Sequence, residues 1–503
     1  MRKILSSLLT FTFFFLNAQD TLYQKHKVSV PGSGSQFARH FYTGDFNGDG
    51  LTDLIIGERL QGPNNNGYVH FYHGTTTGFI WEDDIRFSEE ESSYGQSVAA
   101  GDINNYGYDD IIVGAPRSDN GSPDNNKDYG ALFIYLGSSS GIDDFKPHFR
   151  KNGHQDVQFL GVSSIFVENL NGDGYGDFVT TAPREDIIFN ETGAIDIWFG
   201  SATGYSGTNT KIAGSIGGDW QGLWLANAGD INSDGFDDII SGGIKSVKVF
   251  LGGSGLIGTS TFHEISNIHS SGNAQVMGSG DVNGDGFDDI SYQDPSNRLH
   301  VLYGDSSSLN SSPNWSLQDV PNSEYPWNGI SSLLGKIGDW NRDGFDDLLV
   351  GNLDKYAYVI NGGPNGLENE ISLVLSNTNN HNFSQVSHQI GDNDDNGEFE
   401  IAIAATNHNS LYTFEFPEQR IILSDWQNEG NQGGGEMGFY ISGAGDVNGD
   451  NIDDFLIGSH LYDESYTNNG RVSFFLGSDS GPLPLPTWVN EFDQTDSPDK
   501  DSF

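Results

Sequence analysis

The feature that most constrains the fold is an acidic nine-residue loop that recurs along the chain. Its pattern is Asp-x-Asn-x-Asp-Gly-x-x-Asp, and the first copy runs from Asp45 to Asp53. Seven further copies follow at intervals of about 50 to 70 residues, and they begin at Asp102, Asn169, Asp230, Asp281, Asp339, Asp392 and Asp446. A four-stranded propeller blade needs about 40 to 50 residues, and longer loops extend it. The 503 residues are therefore predicted to form one repeated unit rather than several unrelated domains.

Each acidic loop has the same strand pattern around it. A short apolar strand follows the loop, as at residues 54–57, and a second apolar strand that ends in glycine follows after a turn, as at residues 130–137. The 67 glycines suit many short strands joined by tight turns. We predict an all-β fold, a β-propeller of four-stranded blades, with eight blades favoured and seven as the alternative.

The N-terminal segment has the pattern of a secretory signal peptide. Arg2 and Lys3 give a basic start, residues 4–16 are mainly apolar, and Ala18 ends a small-residue cleavage site. The apolar run is shorter than the roughly 20 residues that a membrane-spanning helix needs, and no later stretch is long enough. We expect a signal peptide at residues 1–18, a secreted or cell-surface location and no transmembrane segment.

Composition restricts both the partners and the means of stabilising the fold. The chain has no cysteine, so disulfides and thiolate metal sites are excluded, and its formal net charge is −47 at pH 7. Nucleic acids and anionic membrane surfaces repel such a polyanion. The expected partner is an extracellular protein or glycan, and no nucleic acid is expected.

The acidic loops carry the residue types that calcium binds. Ca²⁺ takes roughly six to eight oxygen ligands, which side chains at positions 1, 3, 5 and 9 and the carbonyl at position 7 of a tight loop can supply. Glycine at position 6, such as Gly50, lets the chain turn around the ion. Several structural Ca²⁺ ions are therefore predicted. The candidate ligands are Asp45, Asn47, Asp49, Asp53, Asp102, Asn104, Asp110, Asn171, Asp173, Asp177, Asp230, Asn232, Asp234, Asp238, Asp281, Asn283, Asp285, Asp289, Asp339, Asn341, Asp343, Asp347, Asp392, Asp394, Asn396, Glu400, Asp446, Asn448, Asp450 and Asp454.

The copies differ in completeness. Tyr106 removes one oxygen from the second loop, and Asn169 replaces the first carboxylate of the third loop. The seventh loop ends in the longer Glu400, and the last loop has Asn451 where glycine is usual, which asparagine tolerates. The loops that are complete and rank first begin at Asp230, Asp281 and Asp339.

These repeats resemble the FG-GAP repeats of integrin α-subunit propellers and their bacterial relatives. The Gly-Ala-Pro tripeptide is intact at residues 114–116 and partly kept at residues 181–183. The aromatic-glycine start appears as Tyr94-Gly95, and Met437-Gly438 is a looser match. The resemblance covers roughly residues 22–477 and implies a propeller fold. Integrin propellers have seven blades, so eight loop copies are a departure from that family.

The repeats predict the domain boundaries. The propeller is expected to occupy residues 21–492, and the polar, acidic residues 493–503 are expected to be a disordered tail. Propellers commonly complete one blade from both chain ends, which removes exposed sheet edges. Either residues 21–30 or residues 487–492 could supply that closing strand.

The longest connections are predicted to lie opposite the acidic loops. In an antiparallel blade, the loop between strands two and three lies at the other end from the loop between strands one and two. These connections are long in copies one, two, three and eight, which are neighbours on a closed ring. The resemblance to integrins also implies ligand binding on this face. The basic and aromatic candidates for ligand binding are Arg59, Arg117, Lys127, Tyr129, Arg184, Tyr462 and Tyr466.

These observations favour a secreted, calcium-binding adhesion or ligand-binding module. The alternatives are a propeller-fold carbohydrate-active enzyme, such as a polysaccharide lyase, and a structural spacer without a specific partner. No His-Glu-x-x-His helix or Gly-rich phosphate loop is present, so no catalytic residues are predicted. Catalytic propellers share no portable motif, and the enzyme alternative therefore stays open.

Overall fold

The computed structural model describes residues between 37 and 491, with internal gaps. The longer gaps are 59–65, 87–91, 120–126, 255–260, 267–274, 317–331, 377–386, 392–399, 415–420, 430–436 and 460–470. The predicted signal peptide, residues 21–30 and the predicted tail lie outside the described residues. Within the described part, all regular secondary structure is strand, and no helix there is long and apolar enough to cross a membrane.

The first half of the chain folds into four antiparallel sheets, each from one continuous stretch. Sheet 1 contains β1 (Phe37–Gly44), β2 (Asp53–Glu58), β3 (Tyr68–Thr75) and β4 (Gly78–Arg86). Sheet 2 contains β5 (Ser97–Gly101), β6 (Asp110–Ala115), β7 (Ala131–Tyr135) and β10 (Phe149–Asn152); between β7 and β10 the chain forms a separate two-stranded hairpin of β8 (Gly137–Ser138) and β9 (Gly141–Ile142). Sheet 3 contains β11 (Ser164–Val167), β12 (Asp177–Ala182), β13 (Ala194–Phe199) and β14 (Asn209–Ala213). Sheet 4 contains β15 (Trp224–Gly229), β16 (Asp238–Gly242), β17 (Ser246–Phe250) and β18 (His263–Ser266).

The second half repeats this arrangement with one addition. Sheet 5 contains β19 (Val276–Gly280), β20 (Asp289–Gln293), β21 (Leu299–Leu302) and β22 (Trp315–Ser316). Sheet 6 contains β23 (Ser332–Lys336), β24 (Leu348–Gly351), β25 (Tyr356–Ile360) and β26 (Leu373–Ser376). Sheet 7 contains β27 (Ser387–Gly391), β28 (Glu400–Ala405) and β29 (Ser410–Phe414); β30 (Ile421–Leu423) then joins sheet 6, and β31 (Trp426–Glu429) completes sheet 7. Sheet 8 contains β32 (Met437–Gly445), β33 (Asp454–Ser459), β34 (Arg471–Phe475) and β35 (Trp488–Glu491).

The first strands of neighbouring sheets contact each other around a closed ring. These strands are β1, β5, β11, β15, β19, β23, β27 and β32; each contacts the next, and β32 contacts β1. The predicted all-β propeller is thereby confirmed. The favoured set of eight four-stranded blades is wrong. The described residues form seven four-stranded blades, and sheet 6 differs from them because it has five strands.

The fifth strand of sheet 6 comes from the stretch of sequence that also forms sheet 7. β30 pairs in parallel with β26, with Leu375 opposite Ile422. The outermost strand of a blade has unpaired backbone N–H and C=O groups, so an apolar segment of three residues can add to that edge. So short a segment carries no period that distinguishes it from a turn, and the repeat alone did not reveal it.

The hydrophobic core lies between adjacent sheets rather than at the centre of each. Between sheets 8 and 1, for example, the side chains of Leu54, Tyr72, Leu456 and Phe474 are fully buried against each other. Both faces of an inner strand are covered, and every residue of β7 is buried. Each fully buried Leu or Phe side chain contributes about 1.5 to 3 kcal/mol to the free energy of unfolding.

Among the described residues, sheets 1 and 8 close the ring by packing rather than by exchange of a strand. All four strands of sheet 1 come from the stretch 37–86, and all four of sheet 8 come from 437–491. The segment around residues 487–492 forms β35, which pairs with β34 as the outer strand of sheet 8. The side chains between sheets 8 and 1 therefore join the two ends of the described chain, and the strand at residues 21–30 remains a prediction.

The strand register places each acidic loop at the tip of a hairpin. Gly229, just before the fourth loop, lies opposite Asp238, at the end of that loop. The same register holds for Gly44 and Asp53 in sheet 1. Because the strands are antiparallel, the acidic loops and the turns between third and fourth strands share one face of the ring. The connections between second and third strands lie on the opposite face.

Candidate functional site

We number each acidic loop by the sheet whose first two strands it connects, and its positions 1 to 9 from the start of the motif. In six of the loops, the aspartate at position 9 is buried and bonded on both oxygens, whereas Asp177 of loop 3 is bonded on Oδ1 alone. In loop 4, Asp238 Oδ2 accepts a hydrogen bond from the Ile231 N–H at 2.9 Å, and its Oδ1 accepts one from the Gly252 N–H at 2.7 Å. Both oxygens accept backbone N–H bonds in the same way at Asp53, Asp110, Asp289, Asp347 and Asp454. Position 9 therefore ties the acidic loop to the turn after the third strand of its own sheet.

Side-chain oxygens at the other positions hold the loop in a tight turn. Asp230 at position 1 accepts from the N–H groups of Asp234 and Gly235 at 3.0 and 2.8 Å. Asn232 at position 3 accepts from the Asp234 N–H at 3.1 Å, and its amide donates to Asp234 Oδ2 at 3.0 Å. Loops 5 and 6 repeat these bonds closely. The predicted ligand side chains at positions 1, 3 and 5 of a loop are thus held within the same turn.

Burial and neighbouring carboxylates disfavour the ionised form of the position-9 aspartates. Burial raises the pKa of Asp238 and Asp289 to about 8 and that of Asp347 to about 7. Backbone hydrogen bonds partly oppose the rise, whereas the carboxylates at positions 1 and 5 of the same loop add to it. A cation bound in one of these loops would stabilise the ionised form of the carboxylates at positions 1, 5 and 9 of that loop.

The donor set fits calcium, although the carboxylates do not meet at one point. Within the described residues, no group of three or more His, Cys, Asp or Glu side chains forms a metal-binding cluster. The loops combine carboxylate, amide and carbonyl oxygens, which are the hard ligands that Ca²⁺ takes. A carboxylate oxygen that accepts one N–H bond keeps a second lone pair, so these turns leave acceptor capacity for an ion.

Loops 2 and 3 replace parts of this pattern with hydrogen bonds from amides. In loop 2, where Tyr106 occupies position 5, the Asn104 amide donates to Asp110 Oδ2 at 3.0 Å. In loop 3, the amide of Asn169 at position 1 donates to the Gly235 carbonyl of the next sheet at 2.6 Å. Loop 2 thus lacks the position-5 carboxylate, and loop 3 has an N–H donor where the complete loops carry an acceptor oxygen at position 1. Loop 7 lies outside the described residues except for the backbone of Glu400, so its ligands stay a prediction.

An aspartate at position 8 clips each of four loops to the preceding sheet. The Asp230 N–H donates to Asp288 Oδ2 at 2.9 Å, and the Asp288 N–H donates to the Asp230 carbonyl at 3.1 Å. The equivalent carboxylates are Asp109, Asp237 and Asp346. Position 8 received no role from the sequence, although the repeated Asp-Asp pair at positions 8 and 9 was a visible signal. The acidic loops are therefore intersheet joints as well as candidate cation sites.

The clip explains the glycine that precedes the acidic motif. A Cβ at Gly229 would lie 2.2 Å from Asp288 Oδ2, and Gly229 has φ +76°. We expect Gly229→Ala to lower the free energy of unfolding by about 1 to 3 kcal/mol more than Gly235→Ala does, because it also displaces the clip. Gly235 is the matched control, since its φ is +88° and a Cβ there would meet nothing within 4 Å. Urea unfolding in chelator measures both, and equal losses would contradict the clip.

On the opposite face, the predicted ligand-binding residues that the structure describes differ in their contacts. Arg117 is exposed and has no side-chain partner among the described residues. Lys127 Nζ pairs with Asp156 Oδ2 at 2.6 Å. This hydrogen bond, with a further one from Tyr129, holds the pKa of Asp156 below its usual value. Arg184 pairs with Glu191. Arg59, Tyr462 and Tyr466 lie outside the described residues, so the complete arc stays a prediction.

Comparison with known proteins agrees with the repeat assignment. Residues 45–113 match the family model described as FG-GAP-like repeat, and residues 94–135, 161–198 and 439–475 match the model described as FG-GAP repeat.

Curated relatives point the same way. Integrin alpha-8 from Homo sapiens is 29% identical over 217 residues, covering 41% of this chain and 19% of that protein. Integrin alpha-6 from Homo sapiens is 30% identical, covering 32% and 13%, and integrin alpha-PS3 from Drosophila melanogaster is 32% identical, covering 33% and 15%. The match thus spans about a fifth or less of these relatives. Among solved structures, BBS1N in complex with ARL6DN aligns over 75% of this chain and 90% of that chain, with 11% identity and a TM-score of 0.39.

The matched repeats coincide with the sheets and loops described above. The aromatic-glycine and Gly-Ala-Pro segments of sheet 2 meet, since the Gly95 N–H donates to the Gly114 carbonyl at 3.0 Å. Gly114 also adjoins the next sheet, because a Cβ there would lie 2.1 Å from the Gly161 carbonyl oxygen. The chain therefore carries FG-GAP repeats and forms an integrin-α-like β-propeller.

Proposed function

We propose that this chain is an exported, calcium-stabilised propeller that binds an extracellular protein or glycan. The observation that carries this proposal is the difference between the two faces of the ring. The acidic loops on one face are locked into neighbouring sheets, so their surface is committed to holding the ring together. The connections on the other face vary in length, as ligand-binding loops on a rigid scaffold commonly do.

The proposed calcium ions would be held by loops 1, 4, 5, 6 and 8. A bound ion would supply positive charge to the carboxylates of each loop and so stabilise the joint between sheets. Loops 2 and 3 are proposed to hold no calcium or to hold it weakly, because Tyr106 replaces the position-5 carboxylate of loop 2 and Asn169 replaces the position-1 carboxylate of loop 3. Loop 7 is proposed as a site on its sequence alone. Extracellular calcium modules typically have dissociation constants of about 10⁻⁴ to 10⁻³ M, which suits an exported protein.

An array of matrix proteins and glycans tests the ligand-binding function. We expect the full chain to bind at least one member in calcium, and Arg117→Glu to weaken that binding because Arg117 is exposed on the proposed face. Arg342→Glu is the matched control, since Arg342 is an exposed arginine within an acidic loop on the other face. Binding is measured by surface plasmon resonance with and without chelator.

The outcomes of this experiment are distinct. Equal effects of the two arginine variants would contradict the assignment of faces, and no binding by any member would contradict the ligand-binding function. Depolymerisation of an arrayed polysaccharide would favour the carbohydrate-active enzyme instead.

A further inference from the structure

Three consecutive apolar side chains are exposed on the face opposite the acidic loops. Ile187, Ile188 and Phe189 are 40%, 57% and 59% exposed, and they lie in the connection between β12 and β13. They are three of the five large hydrophobic side chains that are exposed in the described part of the chain. We call these three residues the apolar tip. Exposed apolar residues that cluster on a monomer mark an interaction site more often than scattered ones do.

An aromatic and ionic clamp holds the base of the apolar tip. The Arg184 guanidinium lies 5.4 Å from the ring centroid of Phe159 and 5.0 Å from that of Trp220. Its Nε donates to Glu191 Oε1 at 2.8 Å, and Trp220 Nε1 donates to Glu191 Oε2 at 3.1 Å. The side chains before and after the tip are thus fixed to each other and to the next sheet.

Further hydrogen bonds fix the backbone on both sides of the tip. Gln155 donates to the Asp186 carbonyl at 2.7 Å and accepts from the Asp186 N–H at 2.7 Å. The Gly218 N–H donates to the Asn190 carbonyl at 2.9 Å. A loop held in this way presents its side chains without a large loss of conformational entropy on binding.

The apolar tip borders an open hollow of about 830 Å³. Residues 188–191 form one wall and residues 215–218 form the other. Polar groups in the second wall already have partners: Lys248 donates to Ser215 Oγ at 2.8 Å, and Lys245 donates to the Gly217 carbonyl. A hollow of this volume has room for a large side chain, which would remain partly open to solvent.

We infer that the apolar tip and the adjoining hollow bind a protein segment that presents a large apolar side chain flanked by lysine or arginine. This inference rests on the proposed ligand-binding function and names its partner class. The exposed side chains of the tip are apolar, and the carboxylate of Glu191 is engaged within the clamp. A glycan, whose hydroxyl groups need polar partners, is therefore disfavoured. The net charge of −47 attracts basic flanking residues and repels acidic ones.

A phage-displayed library of short random peptides, panned on the full chain in calcium, tests the inference. We expect the enriched peptides to share an aromatic or aliphatic residue next to Lys or Arg. Ile188→Ser combined with Phe189→Ser should raise the dissociation constants of these synthetic peptides at least about tenfold, as removal of buried anchors does. Tyr106→Ser is the matched control, because Tyr106 is 64% exposed in an acidic loop on the other face. Unchanged melting temperatures verify that both variants fold.

Several results would overturn the inference. Enriched peptides that bind the double variant as tightly as the unaltered chain would show that the tip is not the site, while the proposed ligand-binding function would stand. Enriched peptides rich in Asp or Glu would contradict the partner class. If no peptide is enriched but an arrayed glycan or matrix protein binds, the inference fails alone. If nothing binds in either experiment, the inference and the proposed function fail together.

Discussion

Removal of calcium is expected to lower the melting temperature of the chain by about 10 °C. An ion present at ten times its dissociation constant stabilises the folded state by about 1.4 kcal/mol per site. Five such loops would contribute about 7 kcal/mol, and a chain of this length changes its melting temperature by about 1 to 2 °C per kcal/mol. Differential scanning calorimetry in excess calcium and in chelator measures the difference. Equal melting temperatures would contradict calcium stabilisation.

Single-loop variants show whether the acidic loops cause this effect. Asp234→Ala removes the position-5 carboxylate of complete loop 4, and it is expected to lower the calcium stoichiometry by about one. Asp102→Ala is the control in loop 2, where Tyr106 already replaces the position-5 carboxylate. The control is expected to leave the stoichiometry unchanged. Isothermal titration calorimetry distinguishes the two, and the same loss in both would contradict the ranking of the loops.

Replacement of Asp238 by alanine is expected to lower the free energy of unfolding by about 3 to 5 kcal/mol, even in chelator. The side chain of Asp238 is fully buried, and it accepts from the N–H groups of Ile231 and Gly252. Alanine would leave both buried donors without an acceptor, at a cost of about 1 to 3 kcal/mol each, and would leave a cavity. Asp238→Asn retains one acceptor oxygen and should lose less.

The comparison with Asp234→Ala separates the metal from the backbone contribution. Asp234 is exposed, so its replacement should destabilise the chain mainly in calcium, whereas Asp238→Ala should do so in calcium and in chelator alike. Urea unfolding under both conditions measures the two variants. A loss for Asp238→Ala that vanishes in chelator would mean that position 9 acts only through the ion.

Much of the fold followed from local sequence. The spacing of the acidic motif predicted propeller blades, because one blade is one hairpin-connected stretch and its turns depend on nearby Gly, Asp and Asn residues. The same locality let the sequence rank the loops by ligand set. The signal peptide, the seventh loop and the tail depend on residues outside the described part, so they remain predictions.

The tertiary structure decided what depends on residues far apart in the chain. The partner of Asp288 is Asp230 in the preceding sheet, and β30 finds its edge on sheet 6, so neither could be derived from one repeat alone. The basic residues of the predicted arc looked alike in sequence, yet Arg184 is held between two aromatic rings while Arg117 is exposed. The apolar tip at Ile187 to Phe189 appears only in the fold, because the same three letters in the sequence would equally describe a buried strand. The sequence thus determined the repeated joints, whose bonds are largely local, and the packing between sheets determined which surface is left for a partner.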